Sequence, residues 1–335
     1  MSLLLLPLSL MRGGNMNKAK LKYQLPIILG VVLFFLILNI SIYCLFTVKF
    51  LNNRSDELKA KSIELDEYLP FAEISKVSTV DSDLLIEGDI PVIDGAAALY
   101  PVFSGFVGSV YPSSSVDFDG TDFTSDSCLL MNNTRDAYVE IVDGTADIIF
   151  CAYPSDEQLA YAESNGVELE FVPIGQEAFV FFVNENNPVS NLSCEEVRDI
   201  YAGEITNWSE VGGEDYLIAA ISRNPGSGTQ TTLEHFMGDR EIPINNNLIF
   251  GRGLACSFRF YVESITNYGG IKILSLDGVE PTVENIRNGS YPCASYFYAV
   301  YRADNSNPNI PILIDWILSD EGQSVVEANG YVGVN

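Results

Sequence analysis

The sequence predicts an α/β protein of two lobes, preceded by one membrane-spanning helix. The chain has 335 residues, 47% of them hydrophobic, which is enough to bury a core in about two lobes. From Ile90 onward, short apolar runs alternate with amphipathic stretches, a pattern typical of strands connected through helices. Before them, Leu25 to Val48 is a run of 24 residues without a charge, long enough to cross a bilayer as a helix.

Charge is distributed unevenly along the chain. Residues 56–335 contain all 45 acidic residues but only 12 of the 18 Lys and Arg, so their formal net charge is −33. Such a body repels nucleic acid and anionic membrane surfaces, and neither is predicted as its partner. Solubility outside the cell explains this acidity, and a specific cationic partner is the less favoured alternative.

The N-terminal region is interpreted as a membrane anchor. Basic residues ahead of the apolar run place residues 1–24 in the cytoplasm and the acidic body outside, as a single-pass protein of the cell membrane. The length of the run at 25–48 favours an uncleaved anchor over a signal peptide. A lipid-modified Cys44 is the alternative, which the bulky Tyr43 before it disfavours. Met1 and Met16 are both candidate start residues, and the sequence does not decide between them.

The body is predicted to begin after a polar stalk at residues 49–87. Strands are predicted at Ile90 to Ile93, Ala146 to Ala152, Phe171 to Val183 (in two pieces), Tyr216 to Ile221 and Ala294 to Tyr301, and helices at Leu99 to Val110, Cys194 to Tyr201, Thr229 to Met237 and Ile312 to Ala328. The helix from Leu99 has apolar residues at i, i+3, i+4 and i+7, which predicts one buried face.

Cysteine and histidine usage disfavours metal and redox sites. The six cysteines include no CxxC pair and the chain has a single histidine, so neither a zinc site nor a cofactor is predicted. One cysteine lies in the apolar run. The other five are an odd number, so at least one thiol stays free or pairs between chains.

The sharpest local signal runs from Ile221 to Thr232, where a strand passes through a Gly-rich turn into a helix. Glycine lets a backbone approach a ligand closely, and the first amides of a helix point outward unpaired. Such a helix start binds anions. Ser227 and Thr229 add hydroxyl donors, and Arg223 adds a guanidinium that fits a tetrahedral oxyanion.

Two ordinary interpretations of this segment remain open. Ser227 and Gln230, three residues apart, match a capping box. Arg223 also fits a surface ion pair. The spacing of these residues does not separate either interpretation from a ligand site.

Two further junctions resemble this one. Asp94 to Pro101 contains a turn of small residues, and Asn132 to Thr134 opens another helix, where Thr134 offers a hydroxyl. Routine helix starts also explain each of them. Ligands of open α/β sheets bind beyond the carboxyl ends of strands, so three junctions that met there would form one pocket.

No enzymatic constellation is predicted. His235 lies eight residues after Ser227, about two helical turns away, which is too far for direct proton transfer. The acidic pairs Glu195-Glu196 and Asp320-Glu321 fit solvated helix positions rather than paired catalytic carboxylates.

Six segments of the body carry a family resemblance. They are Asp94 to Pro101, Asp147 to Ser155, Ile174 to Val183, Ile200 to Trp208, Arg223 to Thr232 and Trp316 to Val332. In this order they resemble the phosphate-binding components of ABC transporters, within the type II periplasmic-binding-protein superfamily. The resemblance runs from about residue 89 to the end. It implies a first lobe at 88–183 and 291–335 and a second at 184–290, which close about strands near Val183 and Tyr291.

The resemblance also implies a function. The chain is expected to capture inorganic phosphate or a similar oxyanion between its lobes and to deliver it to an ABC transporter permease. The matching ligand positions are Arg223, Ser227, Gly228, Thr229 and Thr134, together with Leu99 and Tyr100, which would donate backbone amides. An anchored sensor or adhesion module of the same fold is the alternative function, and a phosphohydrolase is a further rival.

This chain departs from the family at four positions. Ala96 and Ala97 replace the hydroxyl residues that are frequent in the first turn, and Pro225 and Ala152 stand where some members have an aspartate. In those members the aspartate accepts the proton of phosphate and so disfavours sulfate. The sequence therefore leaves the identity of the oxyanion open.

Overall fold

The computed structural model describes residues 29–36, 38–39, 63–243, 252–265 and 270–334. The chain divides into two units, Met1–Lys61 and Ser62–Asn335. In the first unit, residues 29–36 and 38–39 are helical. Much of the predicted span at 25–48, and all of residues 1–24, lie outside the described residues. Within the described residues, no helix has both the length and the apolar character needed to cross a bilayer.

The second unit is built on a seven-stranded sheet. Its described strands are β1 (Ile93–Gly95), β2 (Ile148–Ala152), β3 (Leu169–Asn184), β4 (Asn191–Leu192), β5 (Ile218–Ala220), β6 (Arg252–Phe258), β7 (Ile271–Ile273), β8 (Ser275–Leu276) and β9 (Ala294–Arg302). The sheet has the order β1-β2-β9-β3-β6-β5, with β7 also paired to β3, and β4 and β8 form a separate pair. β1 runs parallel to β2, and β5 runs parallel to β6.

Helices connect these strands and cover the sheet. The described α-helices are α1 (Tyr100–Val110), α2 (Asn133–Asp143), α3 (Asp156–Ser164), α4 (Cys194–Ala202), α5 (Gly228–Met237), α6 (Val283–Arg287), α7 (Asn309–Ile317) and α8 (Asp320–Ala328). A 3₁₀ turn at Ala97–Leu99 leads into α1. The predicted alternation of strands and helices is confirmed, and the apolar residues predicted on one face of α1 are buried. Ser104 and Gly105 are buried too, so the helix is covered on more than that one face.

Two predicted strands differ in detail from the observed ones. The first strand, β1, begins at Ile93 rather than at Ile90. Pro91 lies between these two residues and has no N–H to donate to a neighbouring strand. The two pieces predicted between Phe171 and Val183 are one continuous strand, β3, with a register irregularity between Pro173 and Gly175.

Two separate hydrophobic cores define two lobes. The first packs α1 against β1, β2, α7 and α8, and the rings of Phe103 and Phe150 stack there with centroids 5.7 Å apart. The second packs α4 and α5 against β5 and β6, around the fully buried Trp208 and Tyr201. The mixed α/β two-lobed architecture that the sequence predicts is therefore confirmed.

β3 and β9 belong to both lobes. The first half of β3 pairs with β9 as far as Ala178 and Ala294, and its second half pairs with β6 and β7. Ile174 packs in the first core and Ala178 in the second. The chain thus passes between the lobes within this short stretch, earlier than the predicted boundary after Val183, because the side chain of Val183 already faces the second core.

The segment predicted as a stalk packs on the first lobe wherever it is described. Ile63, Tyr68 and Ile86 are buried in the first core. Ser78 donates its amide to Asn329 Oδ1 at 3.0 Å, and Asn329 Nδ2 donates back to the Ser78 carbonyl at 2.9 Å. From residue 63 onward this segment is part of the folded body and not a free stalk.

The long helix predicted from Ile312 to Ala328 is two helices, α7 and α8. Ser319 has an extended backbone and caps α8 by accepting the Gly322 amide at 3.4 Å. A Cβ on Gly322 would lie 2.3 Å from the Trp316 carbonyl, so the chain folds back tightly at this corner. The local preference for capping overrides the apolar periodicity.

Candidate oxyanion-binding cleft

Three strand-to-helix junctions meet at one cleft between the lobes. The cleft encloses about 840 Å³ of empty space, including the part open to solvent. Residues 96–98 and 133–135 line it from the first lobe, and the Gly-rich turn lines it from the second with Arg223, Ser227, Gly228 and Thr229. The structure therefore brings five of the predicted site residues together: Thr134, Arg223, Ser227, Gly228 and Thr229.

The first junction offers different amides from those predicted. The Leu99 amide donates to the Ala96 carbonyl at 2.8 Å, and the Tyr100 amide donates to the Ala97 carbonyl, so both are used inside the 3₁₀ turn. The amides of Ala97 and Ala98 have no acceptor among the described residues. The Ala97 and Ala98 amides, at the start of the 3₁₀ turn, are therefore the ones that a ligand in the cleft could reach.

The side chains of Leu99 and Tyr100 point away from the main cleft. Tyr100 is fully buried and its hydroxyl donates to the Leu65 carbonyl at 3.3 Å. Leu99 lines a smaller adjoining cavity of about 350 Å³ that also contains Ala152. In this arrangement both residues support the turn.

The second junction is the start of α2. Thr134 is buried at the cleft, and no side chain caps the first turn of this helix, so the amides of residues 133–135 have no acceptor in the described part of the chain. Asn133 adopts a left-handed backbone with φ of 65°, which turns the chain sharply into the helix. The positive end of the α2 dipole therefore faces the cleft.

Asp94 is a buried carboxylate that ties the first junction to the second. Its Oδ1 accepts the amides of Gly95 at 2.7 Å and Asn132 at 2.8 Å. The Asn132 side chain bridges Asp94 Oδ2 at 3.2 Å and Glu140 Oε1 at 3.0 Å. Burial raises the pKa of Asp94 to about 7 against the opposing effect of these hydrogen bonds. Asp94 thus fixes where α2 begins relative to β1.

The third junction is the Gly-rich turn before α5. Ser227 caps the helix by accepting the Gln230 amide at 3.3 Å, and its carbonyl accepts the Thr231 amide at 2.9 Å. Gln230 does not complete a capping box, because its Oε1 accepts the Arg223 amide at 2.9 Å instead. The amides of Gly228 and Thr229 have no acceptor among the described residues, so this helix start is both capped and open to an anion.

Two arginines at the cleft have no hydrogen-bond or ion-pair partner in the described part of the body. Residues 63–334, as described, contain ten Lys and Arg. Eight of them donate to a carboxylate or a carbonyl: Lys76, Arg198, Arg240, Arg252, Arg259, Lys272, Arg287 and Arg302. The other two, Arg135 and Arg223, both line the cleft. The surface ion pair considered for Arg223 has no partner within these residues.

The lobes touch at the cleft through two glycines. A Cβ on Gly228 would lie 2.8 Å from Thr134 Oγ1, and a Cβ on Gly226 would lie 3.4 Å from the Arg135 Cγ. Gly226 also has a left-handed backbone with φ of 77°. The absence of side chains at these positions lets the start of α5 approach the start of α2.

Glu177 is a second buried carboxylate, and it lines the smaller cavity that adjoins the cleft. Ala152, at the position where some family members have an aspartate, lines the same cavity. It accepts the amides of Ala178 at 2.8 Å and Phe260 at 3.3 Å, and Arg259 Nε lies 3.5 Å away. Burial raises the pKa of Glu177 to about 7, although the Arg259 charge lowers it.

Sequence reasoning missed Arg135, Glu177 and the amides of Ala97 and Ala98. Arg135 directly follows Thr134 in the first turn of a predicted helix, so its position was a usable signal. Glu177 is the one acid between Phe171 and Val183, in the apolar part of β3, which was also visible. The amides of Ala97 and Ala98 are left unpaired by a 3₁₀ turn that no residue pattern in the sequence predicts.

The residues considered for enzymatic chemistry lie elsewhere. His235 packs against Tyr153, with ring centroids 6.2 Å apart, and does not line the cleft. Glu196 completes the cap of α4 with Ser193, and Glu321 accepts hydrogen bonds from Ser82 and Trp316. In the described part of the chain, no group of three or more His, Cys, Asp or Glu is placed to hold a metal ion.

Comparison with known families agrees with this architecture. A family model described as a PBP superfamily domain matches residues 129–321. The chain belongs to this superfamily. The match includes the second and third junctions and both crossing strands, whereas the first junction lies before it.

Curated relatives and solved structures are also similar to the chain. The phosphate-binding protein PstS of Bacillus subtilis is 27% identical over 184 residues, which cover 51% of this chain and 61% of that protein. The PstS of Staphylococcus epidermidis strain RP62A is 27% identical over 219 residues, which cover 59% of this chain and 67% of that protein. The chain thus spans about three fifths to two thirds of these relatives.

Two solved structures share the fold. A substrate-binding protein of Clostridium perfringens, assigned to phosphate ABC transport and solved with bound phosphate, superposes with a TM-score of 0.56 at 23% identity, over 77% of this chain and 100% of that chain. An ABC-type phosphate transport receptor of Vibrio cholerae gives a TM-score of 0.51 at 19% identity, over 72% and 98%.

Proposed function

We propose that this chain is the substrate-binding component of an ABC transporter and holds inorganic phosphate, or a similar tetrahedral oxyanion, between its lobes. One observation carries the proposal: a single cleft is lined by amides from three junctions and by two arginines that have no partner among the described residues. The ligand set is Arg223, Ser227, Gly228, Thr229 and Thr134 from the original prediction. Arg135 and the Ala97 and Ala98 amides join it, while Leu99 and Tyr100 shape the turn.

An oxyanion fits this cleft for electrostatic reasons. The body carries a formal net charge of −33, which by itself repels anions, so an anion can bind only where local positive groups such as Arg223, Arg135 and the helix starts outweigh that repulsion. Each charge-assisted hydrogen bond to an anion contributes about 1.5–3 kcal/mol. The amides at a helix start already point towards the anion, so they donate such bonds without a change in the backbone. The names of the relatives, phosphate-binding protein PstS, support phosphate as the anion.

The proposed transport role also accounts for the N-terminal region and for the two-lobed body. The uncharged run from Leu25 to Val48 supports a single-pass anchor, with the acidic body outside the cytoplasm. A tether keeps the binding protein near a permease and raises its effective concentration there. Closure of the lobes around the anion would then present one surface to that permease.

Calorimetric titration of the purified full-length chain in mild detergent tests the proposal. The ligand-free protein should bind phosphate, and a parallel titration with sulfate shows whether it discriminates between the two anions with Pro225 and Ala152 at the positions where some relatives have an aspartate. Arg223→Ala and Arg135→Ala should each raise the dissociation constant about tenfold or more, equivalent to about 1.4 kcal/mol. The melting temperature of the ligand-free variants should change little, because neither arginine has a hydrogen-bond or ion-pair partner to lose within residues 63–334 as described.

Arg252→Ala is the matched control. Arg252 pairs with Glu214 and stacks on Tyr216, away from the cleft, so its loss should leave phosphate affinity unchanged. The proposal fails if folded, ligand-free protein shows neither heat nor a thermal shift with any oxyanion. It fails equally if all three arginine variants bind phosphate like the parent.

A further inference from the structure

A second groove, the side groove, opens beside the oxyanion cleft. It encloses about 1170 Å³ of empty space, including the part open to solvent, against about 840 Å³ in the cleft. Its lining residues belong to α2, to the start of α3 with its cap Ser155, and to the Gly-rich turn. Arg135, Asn224 and Pro225 line both the cleft and the side groove. A molecule held in the cleft by one end can therefore extend past these residues into the side groove.

The side groove contains a buried hydrogen-bond donor that no described residue satisfies. Gln158 lines the groove, and its Oε1 accepts the Ser155 amide at 2.9 Å, which completes the cap of α3. Its Nε2 is buried and donates to no acceptor among the described residues. A buried donor without an acceptor costs free energy, and an oxygen atom of a ligand in the groove would remove that cost.

The other lining residues suit an uncharged substituent that carries hydroxyl groups. Val139 and Tyr161 contribute partly exposed apolar surface. The Tyr161 hydroxyl donates to Asp143 Oδ1 at 2.8 Å, so its oxygen can still accept a hydrogen bond from a ligand. Glu157 is the one carboxylate among the described lining residues of the side groove, and it would repel a second anionic group. A sugar fits this combination, since it is neutral and offers both hydroxyl groups and apolar faces.

The cleft itself favours an anion that carries no proton. No carboxylate is found among the described residues that line it. Inorganic phosphate keeps at least one proton at neutral pH, and that proton needs an acceptor. A phosphate monoester loses its last proton at about pH 6, so at neutral pH all three of its terminal oxygens can accept hydrogen bonds from the amides and arginines.

We propose that the cleft and the side groove together bind a phosphate monoester whose substituent is a sugar. This inference rests on the proposed function, because the phosphoryl group takes the place of the oxyanion in the cleft. Arg135, at the boundary of the two spaces, and Arg223 hold the phosphoryl oxygens. The sugar occupies the side groove, where a sugar oxygen accepts a hydrogen bond from Gln158 Nε2.

Calorimetric titration of the purified full-length chain in mild detergent tests the inference, with glucose 6-phosphate, methyl phosphate and inorganic phosphate as ligands at pH 8. Glucose 6-phosphate should bind about tenfold or more tightly than methyl phosphate, because the methyl group is too short to fill the side groove. Methyl phosphate has the same ionised phosphoryl group, so the comparison isolates the contribution of the sugar.

Two variants test the side groove without changing a residue that lines the cleft. Val139→Trp fills the groove and should raise the dissociation constant of glucose 6-phosphate about tenfold, while that of inorganic phosphate stays within about twofold. Gln158→Glu keeps an oxygen to cap α3 but removes the Nε2 donor, and it should weaken glucose 6-phosphate more than inorganic phosphate. Val283→Trp is the matched control, since Val283 is 40% exposed against 39% for Val139 and lines neither space.

The outcomes separate this inference from the proposed function. Binding of inorganic phosphate without tighter binding of glucose 6-phosphate than of methyl phosphate would overturn the inference alone. The same holds if folded Val139→Trp and Gln158→Glu both bind glucose 6-phosphate like the parent. A folded, ligand-free protein that binds none of the three anions would contradict both.

Discussion

At the scale of single residues, Gly228 stands where the lobes come closest. A side chain there would meet Thr134 Oγ1 at 2.8 Å, so the two helix starts can share one anion only if this position stays bare. Gly228 is the first residue of α5, and its backbone is not left-handed. The backbone therefore accepts alanine at this position, and the contact across the cleft is what opposes it.

Gly228→Ala should therefore weaken phosphate binding about tenfold or more while leaving the ligand-free protein as stable as the parent or slightly more stable, because alanine favours a helix. Calorimetry and thermal melting measure the two effects. In a Thr134→Ala background the obstructing oxygen is absent, so the same substitution should cost much less affinity than in the parent. Equal costs in both backgrounds would show that the contact is not the cause.

The sequence identified the residues of the third junction well because their chemistry is local. A strand, a Gly-rich turn and a serine cap follow one another within twelve residues, from Ile221 to Thr232. It could not show which of the amides 97–100 remain unpaired, since that depends on a 3₁₀ turn held by the Ala96 carbonyl. Nor could it separate Arg223 from an ion pair, because partners come from distant segments.

At the scale of elements, the crossing strands depend on a close contact at Gly175. A Cβ at this position would lie 2.2 Å from Phe297 Cζ, on the neighbouring strand β9. Phe297 is itself buried, and its ring packs on Tyr331 with centroids 5.6 Å apart. The ring therefore has little room to move aside.

Gly175→Ala should destabilise the protein by about 1–3 kcal/mol through overpacking, visible as a lower midpoint in urea unfolding. Phe297→Leu replaces the obstructing ring with a smaller side chain, and this single substitution should also lower the free energy of unfolding. The double variant should be more stable than the sum of the two single costs predicts. Strict additivity would contradict the contact.

The helices show where periodicity alone fails as a guide. The buried face of α1 was visible as apolar residues at helical spacing, and the helix lies where that spacing predicted. The same spacing continues from Ile312 through Ala328, yet the chain breaks at Ser319. Serine followed by Asp320 and Glu321 is a start signal for a helix, and weighing it would have divided the segment correctly.

At the scale of the whole molecule, two buried carboxyls, Asp94 and Glu177, affect stability across the neutral range. Burial raises the pKa of each to about 7. Glu140 and Asn132 face the first of them, and Arg259 faces the second with Glu263 beyond it. Between the unfolded and folded pKa values the native state binds more protons than the unfolded chain, so stability falls as pH rises towards 7.

The free energy of unfolding should therefore decrease from pH 5 to pH 8, measured by urea titration at each pH. Glu177→Gln removes one of the two groups and should flatten this dependence, by up to roughly 3 kcal/mol over the range. Glu327→Gln, at an exposed carboxylate paired with Arg287, should keep the parental slope although it also removes a negative charge. Parallel curves for parent and Glu177→Gln would exclude Glu177 as a cause.

Residues 63–87 pack on the first lobe. In this segment Ile63 and Tyr68 are buried in the first core, and the Ser78 amide donates a hydrogen bond to Asn329. If the lobes move relative to each other when an anion binds, we expect the lobe that carries the Gly-rich turn to be the one that moves, because the packing of residues 63–87 adds mass and contacts to the other lobe.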